Sequence, residues 1–561
     1  MKHKLFRTAL LVLALAAGAC AGLPERTPAS LPAQAAVAIP DPFGAEVASD
    51  ILQAGGNAID AAVAVAFSLA VTYPEAGNLG GGGFMLAWVD GEAAFLDYRE
   101  TAPAAATRDM YLDARGEVIE DSSLTGHRAS GVPGTVAGLW EAHRRFGRLE
   151  WKDLVQPAID LAEQGFVVPQ QLEERVREEW PRVGKVAGFE KYFGGLRGAE
   201  VFRQPELAAV LRRVQTGGTD GFYGGETAGL IAAEMSRGGG LITARDLAGY
   251  EPVWREPLRA SWRGYEVLSA PPPSSGGIAV LQLLKMKDVL AGDFKGLAHN
   301  APQYVHLTAE LEKRVFADRA EYLGDPAFVD VPVAALLSDD YLARRARLVD
   351  RDSISPPESV RPGLEPRDTT HFSIVDRWGN AVANTYTLNT SFGSGVVVDG
   401  AGFLMNNEMD DFSIKPGQPN YYGVVGSAAN EVQPGKRMLS SMTPTVLLED
   451  GRVRMVLGSP GGSTIITSVY QTIVNALDFD MTAAEAVGAA RFHHQLLPPD
   501  RITFGPERPL PPATVEVLGQ RGYRLESHGW ELGDVQLILR RDAGWQAASD
   551  PRGRGEARVL Q

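Results

Sequence analysis

The chain has 561 residues, of which 45% are hydrophobic and 22% charged, as in a folded globular protein rather than a disordered or fibrous one. Its formal charge of −15 argues against binding nucleic acid, which needs a basic surface to neutralise phosphates. A single cysteine excludes an intrachain disulfide and a zinc site built on several thiolates.

That cysteine, Cys20, lies at the end of an export signal. Three basic residues precede an apolar run from 10 to 17, which is shorter than the roughly 20 residues that span a bilayer. A basic start, a short apolar segment and small residues before a cleavage point are typical of a secretory signal. Ala-Gly-Ala-Cys at 17–20 is similar to a lipobox, which predicts a signal peptide over 1–19 and a lipid-anchored tether over 20–34. Cleavage as an ordinary secretory signal, with the cysteine incidental, is the alternative.

The first part of the body is predicted to be helical and then to form a hairpin. Helices are expected over 44–52 and 58–71, the second of them buried because it is apolar on nearly every side. Four consecutive glycines at 80–83 allow close approach to a ligand or positive φ angles, and they match neither a dinucleotide fingerprint nor a P-loop. Alternation from 84 to 96 predicts a β-hairpin that turns near Asp90-Gly91.

The middle of the chain carries helical periodicity and ends in a loop. Helices are expected at 135–145, 206–214 and 303–320. Four prolines within 352–368 predict an exposed loop, after which the pattern changes abruptly to strands.

The C-terminal third is expected to form antiparallel sheets with helices packed outside them. The predicted elements are hairpins at 371–388 and 443–457, helices at 463–477 and 482–491, and late strands at 535–540 and 545–548.

The motifs of common catalytic sites are missing, which leaves a hydroxyl nucleophile. The sequence has no Gly-x-Ser-x-Gly elbow and no His-Glu-x-x-His helix, and we interpret the adjacent pair His493-His494 as structural rather than metal-binding. A Thr or Ser nucleophile needs a base, and a free α-amino group is one. A cut between Asp368 and Thr369, where the proline-rich loop meets a strand, would free such a group. Taken alone, a Thr-Thr strand start is equally an ordinary result of β-propensity.

Long motifs spaced along the chain carry a family resemblance. They occupy 55–62, 77–86, 368–376, 384–390, 406–412, 437–442 and 458–463. In this order they resemble the γ-glutamyltransferases, which are N-terminal-nucleophile hydrolases. The resemblance implies an α+β fold, the four-layer αββα sandwich of that class. It also implies a precursor that cuts itself into a large subunit, 35–368, and a small catalytic subunit, 369–561.

The resemblance further implies the residues of the active site. Thr369 is expected to be the nucleophile after cleavage of the Asp368–Thr369 bond, Thr387 to hydrogen-bond it, and Gly461 and Gly462 to form an oxyanion hole. Structural roles stay open as alternatives. Thr387 could be an ordinary cross-strand neighbour, and the two glycines could form a helix-entry turn. The implied substrate-binding residues are Arg99, Ser440 and Ser441 for an α-carboxylate, Asn389, Glu408 and Asp411 for an α-ammonium, and Tyr422 on a lid loop.

The implied reaction cleaves the γ-glutamyl amide of glutathione through an ester on Thr369, which water or the amine of an amino acid or dipeptide then resolves. The implied partners are glutathione and other γ-glutamyl compounds, the acceptor amines, and the two subunits as a heterodimer; no metal, organic cofactor or nucleic acid is implied. The export signal predicts a periplasmic lipoprotein of a Gram-negative bacterium.

Three alternative functions differ in the sequence features that they require. A cephalosporin or glutaryl acylase of the same superfamily generally lacks the lid and the complete glutamyl pocket. A non-enzymatic surface lipoprotein would not need the intact nucleophile motif. A conventional serine hydrolase would need the elbow that the sequence lacks.

Overall fold

Two stacked antiparallel sheets, with helices on both outer faces, form the body of the protein. The structure is a computed structural model, and it describes residues 34–198, 200–356, 360, 370–416, 427–495 and 497–561. Residues Gln34–Gln561 pack as one unit.

The strands of the described residues are β1 Ala35–Ile39, β2 Gly82–Val89, β3 Glu92–Tyr98, β4 Phe166–Val167, β5 Val201–Phe202, β6 Val253–Arg255, β7 Leu258–Trp262, β8 Tyr265–Ser269, β9 Thr370–Val375, β10 Ala381–Thr387, β11 Thr445–Glu449, β12 Arg452–Gly458, β13 Phe492–His493, β14 Arg501–Phe504, β15 Arg524–Ser527, β16 Gln536–Arg541, β17 Gly544–Ser549 and β18 Glu556–Leu560.

The α-helices of the same residues are α1 Pro42–Gln53, α2 Ala58–Thr72, α3 Thr135–Phe146, α4 Trp151–Gln164, α5 Gln170–Val183, α6 Phe189–Phe193, α7 Pro205–Gly217, α8 Asp220–Tyr223, α9 Gly225–Gly238, α10 Ala244–Ala248, α11 Gly276–Val289, α12 Ala291–Phe294, α13 Pro302–Tyr322, α14 Val333–Leu336, α15 Asp339–Arg347, α16 Thr464–Leu477, α17 Ala483–Gly488 and α18 Pro512–Arg521. None of these helices combines the length and the apolar composition that a membrane span needs.

The two large sheets have their strands in different chain orders. The first runs β18-β1-β9-β10-β2-β3-β6 and the second β17-β16-β12-β11-β8-β7. Neighbouring strands are antiparallel throughout both sheets. Helices α2 and α3 pack on the first sheet, and α11, α16 and α17 pack on the second.

Strand β9 shows how the layers are joined. Because successive side chains of a strand point to opposite faces, Phe372 and Ile374 enter the core beneath α2, whereas Val375 enters the core between the sheets. The Ser373 hydroxyl donates to the carbonyl of Gln536, on the second sheet, over 3.1 Å. The predicted α+β sandwich is therefore confirmed.

The first predicted hairpin is confirmed, and the glycine run before it has none of the positive φ angles considered for it. Asp90 and Gly91 have φ angles of 51° and 83°, the paired positive values of a tight hairpin turn. None of the four glycines at 80–83 has a positive φ, so the positive-φ alternative was wrong, whereas close approach to a ligand stays a prediction. A Cβ at Gly81 would overlap the carbonyl oxygen of Thr387. The run therefore lets neighbouring backbones pack closely.

One predicted helix ends earlier than expected. The helix proposed for 482–491 stops at Gly488, because Ala489 takes an extended conformation, with ψ 150°. The following residues, Phe492–His493, form a strand that pairs with β14. His493 and His494 are hydrogen-bonded inside the fold, to Thr467 over 3.0 Å and to the Arg501 carbonyl over 2.8 Å. Most of the proline-rich loop lies outside the described residues.

Candidate active site

A cavity beyond the end of β10 gathers most of the predicted site residues. We call it the inner pocket, and its lining residues are Arg99, Thr387, Asn389, Glu408, Asp411, Ser440, Ser441, Met442, Gly462 and Ile465. Gly461 lines an adjoining cavity. The remaining predicted positions, Cys20, Asp368, Thr369 and Tyr422, lie outside the described residues.

Arg99 is the first residue after β3 and its side chain is only 1% exposed. Its backbone N–H donates to the Asp97 carboxylate over 3.0 Å, which fixes the direction in which the chain leaves the strand. Its guanidinium forms ion pairs with Glu408 through one nitrogen and with Asp411 through another. The forked shape of the group makes this double pairing possible.

The two acids come from one short turn, Glu408–Asp411, that neighbouring asparagines hold in place. The Asn406 side chain donates to the carbonyl of Gly80 over 2.7 Å and accepts from the Glu408 N–H over 3.0 Å. The turn is thereby fastened to the glycine run. The burial of Asn406, Glu408 and Asp410 shows that this segment is not a solvated surface turn.

Burial and mutual repulsion disturb the ionisation of these acids. Burial raises the pKa of Glu408 and of Asp411, and it raises the pKa of the neighbouring Glu100 to about 8. Burial opposes the charge on Arg99, but the adjacent carboxylates outweigh it and hold the pKa of Arg99 above its usual range. The pocket therefore offers a guanidinium cation together with acids whose charged form a ligand cation would stabilise, an arrangement complementary to a zwitterion.

Ser440 and Ser441 form the opposite wall. The Ser440 N–H donates to the Pro273 carbonyl over 2.8 Å, and its hydroxyl oxygen accepts from the Met442 N–H over 3.1 Å. The Ser441 hydroxyl accepts from the guanidinium of Arg319 over 3.4 Å. The Ser440 hydroxyl can therefore still donate toward the pocket.

Thr387 and Asn389 close the end of β10. The Thr387 hydroxyl accepts from the Asn389 N–H over 2.8 Å, and the Thr387 carbonyl accepts from the Asn78 side chain over 2.8 Å. Asn389 takes a φ of 79°, which turns the chain sharply, and its side-chain amide donates to the Asn407 carbonyl over 3.0 Å. These bonds hold both side chains beside Arg99 and its acids.

Gly461 and Gly462 form the turn between β12 and α16. Their φ angles of 123° and 56° are the positive values that glycine adopts at little cost. Their carbonyls accept from the N–H groups of Thr464 and Ile465, both over 3.1 Å, and so belong to the first turn of α16. Because this turn begins a 14-residue helix, negative charge is favoured there.

Sequence reasoning missed two charged residues of this region. Arg319, on α13, is buried and donates to the Ser275 hydroxyl over 2.9 Å as well as to Ser441. Burial lowers the pKa of Arg319 to about 9, although Asp411 opposes this. Glu100 lies beside Arg99 with a closest approach of 3.8 Å. The sequence feature that could have indicated Arg319 was the run of charged residues on α13, a helix that is buried along most of its length.

Comparison with known proteins places the chain in a family. The model of the family described as Gamma-glutamyltranspeptidase matches residues 44–560. The chain belongs to the γ-glutamyltranspeptidase family. The predicted family, the enzyme class and the self-processing precursor are thereby confirmed.

Relatives and solved structures agree with this membership. The chain is 54% identical, over the whole of both chains, to a protein of Pseudomonas aeruginosa named Glutathione hydrolase proenzyme. It is 56% identical to a solved γ-glutamyltranspeptidase from Pseudomonas nitroreducens complexed with L-DON, with a TM-score of 0.57 over 58% of this chain and 96% of that one. A cephalosporin acylase from Bacillus halodurans is 27% identical, with a TM-score of 0.80 over 96% of this chain and 98% of that one. The family's fold therefore also serves acylases.

Proposed function

We propose that this enzyme hydrolyses glutathione and transfers its γ-glutamyl group, with the inner pocket holding the glutamyl head. The observation that carries the proposal is the meeting of Arg99, two serine hydroxyls and two buried acids in one cavity. A glutamyl head has an α-carboxylate and an α-ammonium on one carbon. In the proposed complex the carboxylate pairs with Arg99, Ser440 and Ser441, and the ammonium with Glu408, Asp411 and Asn389.

The proposed nucleophile is Thr369, and the register of the described strands supports it. Strand β9 begins at Thr370, which pairs with Tyr386 of the antiparallel strand β10. If this pairing extended by one more residue, position 369 would lie opposite Thr387, which lines the inner pocket. A hydroxyl there would be within reach of a γ-carbonyl whose α-end is held by Arg99. Its own α-amino group would serve as the base.

Maturation would create that amino group. The hydroxyl of Thr369 attacks the carbonyl carbon of Asp368, the peptide C–N bond breaks, and an ester bond to the hydroxyl oxygen forms in its place. Water then hydrolyses the ester. The products are a large subunit that ends at Asp368 and a small subunit that starts with a free amine at Thr369.

Turnover would follow the same chemistry. The Thr369 hydroxyl gives its proton to the α-amino group and attacks the γ-carbonyl, and the oxyanion that forms is stabilised by N–H groups of the Gly461–Gly462 turn. The amine leaves with the proton. Water or a second amine then attacks the γ-glutamyl ester, and the Thr369 oxygen takes its proton back.

The test replaces the nucleophile. We expect the Thr369→Ala protein to run as one band on a denaturing gel, whereas the parent gives two, and to release no aniline from a γ-glutamyl anilide. Thr369→Ser, which keeps a hydroxyl, is the matched control and should still be cleaved. An uncleaved Thr369→Ala protein that still turns over the anilide would contradict the mechanism.

An acylase activity toward glutaryl amides is the second candidate, because a cephalosporin acylase shares the fold over nearly the whole chain. A glutaryl group lacks the α-ammonium, so Glu408 and Asp411 would be buried next to a ligand that gives them no cation. A γ-glutamyl amide supplies that cation. Side-by-side assay of glutathione and a glutaryl amide separates the two candidates.

We also propose that the enzyme is exported to the periplasm and anchored by a lipid on Cys20. The support is the basic, apolar and small-residue pattern of residues 1–20. A Cys20→Ala protein should leave the membrane fraction and keep its specific activity. If Cys20→Ala fractionates with membranes as the parent does, the anchor is refuted.

A further inference from the structure

Behind the serine wall of the inner pocket, Ser440 and Ser441, lies a buried arginine to which the proposed reaction gives no role. Arg319 belongs to α13, is 5% exposed and does not line the pocket itself. Its guanidinium contacts two serines that are far apart in the sequence. The Nε–H donates to the Ser275 hydroxyl over 2.9 Å, and an Nη2–H donates to the Ser441 hydroxyl over 3.4 Å.

Ser275 extends this contact to the other serine of the wall. It is the residue that precedes α11, and it is fully buried. Its hydroxyl donates to the Ser440 carbonyl over 2.8 Å, and its backbone N–H donates to the same carbonyl over 2.7 Å. One guanidinium therefore holds Ser441 directly and Ser440 through Ser275.

The bond to Arg319 restricts the orientation of the Ser441 hydroxyl. A guanidinium has donors and no acceptor, so the hydroxyl proton of Ser441 cannot point at it. The hydroxyl therefore presents its oxygen to Arg319 and its proton in another direction. In the proposed function, on which this inference rests, the group that receives such a proton is the α-carboxylate of the glutamyl head.

The charge of Arg319 favours the same ligand group. Keeping an arginine out of water costs free energy, and Asp411 of the inner pocket favours the charged form of this one. Burial raises the pKa of Asp411, and Arg319 is among the cations that oppose the rise. A ligand carboxylate at the serine wall would be separated from this positive charge only by Ser441, whereas a neutral group would gain nothing from it.

We infer that Arg319 is a positioning residue for the α-carboxylate of the donor. It holds the serine wall in the arrangement that donates hydrogen bonds, and it favours a carboxylate there over a neutral group of similar shape. A carboxamide is such a group, and its NH2 needs an acceptor where the wall offers donors. Without Arg319, the Ser441 hydroxyl can turn and accept from that NH2, so the preference for a carboxylate should fall.

The test compares two donors that differ only in this group. One is γ-glutamyl-p-nitroanilide, and the other is the same anilide with a carboxamide in place of the α-carboxylate. Both keep the α-ammonium, so the ratio of their kcat/KM values, carboxylate to carboxamide, reports on the carboxylate site and does not depend on the amount of folded enzyme. We expect Arg319→Gln to lower this ratio about tenfold, and Ser275→Ala about threefold.

Arg345→Gln is the matched control. Arg345 is 18% exposed, pairs over 2.5 Å with Asp318, the residue before Arg319, and does not line the inner pocket. An unchanged ratio in Arg319→Gln, or an equal fall in Arg345→Gln, would overturn the inference. If Arg319→Gln does not fold, Ser275→Ala decides, because an unchanged ratio in that variant would overturn the inference as well.

Failure of the proposed function would give a different result. A parent that releases no p-nitroaniline from γ-glutamyl-p-nitroanilide, or that accepts both donors equally well, would contradict the proposed function, and the inference with it. A parent that prefers the carboxylate, with a ratio that Arg319→Gln leaves unchanged, would contradict the inference alone.

Discussion

Two buried ionic clusters of this protein have different charge balances. The pocket cluster consists of Arg99 and Arg319 with Glu100, Glu408 and Asp411, so its acids outnumber its arginines. The helix cluster, on α13, consists of Glu310 with Lys313 and Arg314, each cation 2.9 Å from one carboxylate oxygen. Lys313 also pairs with Asp500 over 3.2 Å, so the acids and cations of this cluster are equal in number. Apart from that of Asp500, the side chains of both clusters are buried.

The consequence is seen in the ionisation of the acids. In the helix cluster, burial by itself would raise the pKa of Glu310, but Lys313 and Arg314 lower it to about 2. In the pocket cluster burial prevails, and the pKa values of Glu100, Glu408 and Asp411 all rise. A cluster built for stability has its charges satisfied within the chain, whereas a cluster that receives a charged ligand does not.

The helix cluster is also better connected to the backbone. Arg314 donates to the carbonyls of Arg345, over 3.1 Å, and Leu348, over 2.6 Å. Lys313 donates to the Ser355 carbonyl over 2.9 Å. The cluster therefore ties α13 to the segment after α15. Arg99, by comparison, makes one long contact to a backbone carbonyl, that of Met438, over 3.4 Å.

The largest effect is expected from Arg99→Gln. Losing the fork that holds the α-carboxylate should lower kcat/KM for a γ-glutamyl anilide about a thousandfold, which corresponds to about 4 kcal/mol. Arg255→Gln is the control: Arg255 pairs with the neighbouring Asp97 over 2.7 Å but lies outside the inner pocket. A decrease of less than tenfold in Arg99→Gln would remove the distinction between the two clusters.

A large loss of stability, without a comparable loss of activity, is expected from Arg314→Gln. Removing one partner of a buried pair typically costs about 3 kcal/mol or more. Urea unfolding should be measured in the Thr369→Ala background, which we expect to stay a single chain, and activity in the parent background. Arg344→Gln, at an exposed position of α15, should cost less than about 0.5 kcal/mol. Equal stabilities of the two variants would show that the helix cluster is not structural.

The smallest expected effect is the pH dependence of the stability that Glu310 contributes. Because the pKa of Glu310 falls from 4.5 to about 2 on folding, its contribution is present above pH 4.5 and is lost as the pH falls toward 2; the full shift corresponds to about 3 kcal/mol. The difference in unfolding free energy between the Thr369→Ala protein and its Glu310→Gln derivative should therefore narrow by about 2 kcal/mol from pH 7 to pH 3. A difference in unfolding free energy that does not change with pH would mean that the neighbouring residues do not lower the pKa of Glu310.

The sequence by itself determined the family, the sandwich fold and most of the local elements. The hairpin at Asp90-Gly91 was predictable because a two-residue turn with positive φ values has a strong local signal. The inner-pocket residues were predictable because long motifs fix each position relative to its neighbours.

The tertiary structure determined the features that depend on contacts between residues distant in sequence. Strand β1 was not foreseen, since Ala35–Ile39 shows no alternation. It pairs with β18 and β9 along its two edges, and its two faces are buried in the cores on either side of the first sheet. Arg319 could not be assigned to the site from a helical segment alone. The glycine run has no positive φ angles, and it allows neighbouring backbones to pack closely. Periodicity and motifs report on residues close in sequence, whereas burial, pairing and charge balance are set by segments that only folding brings together.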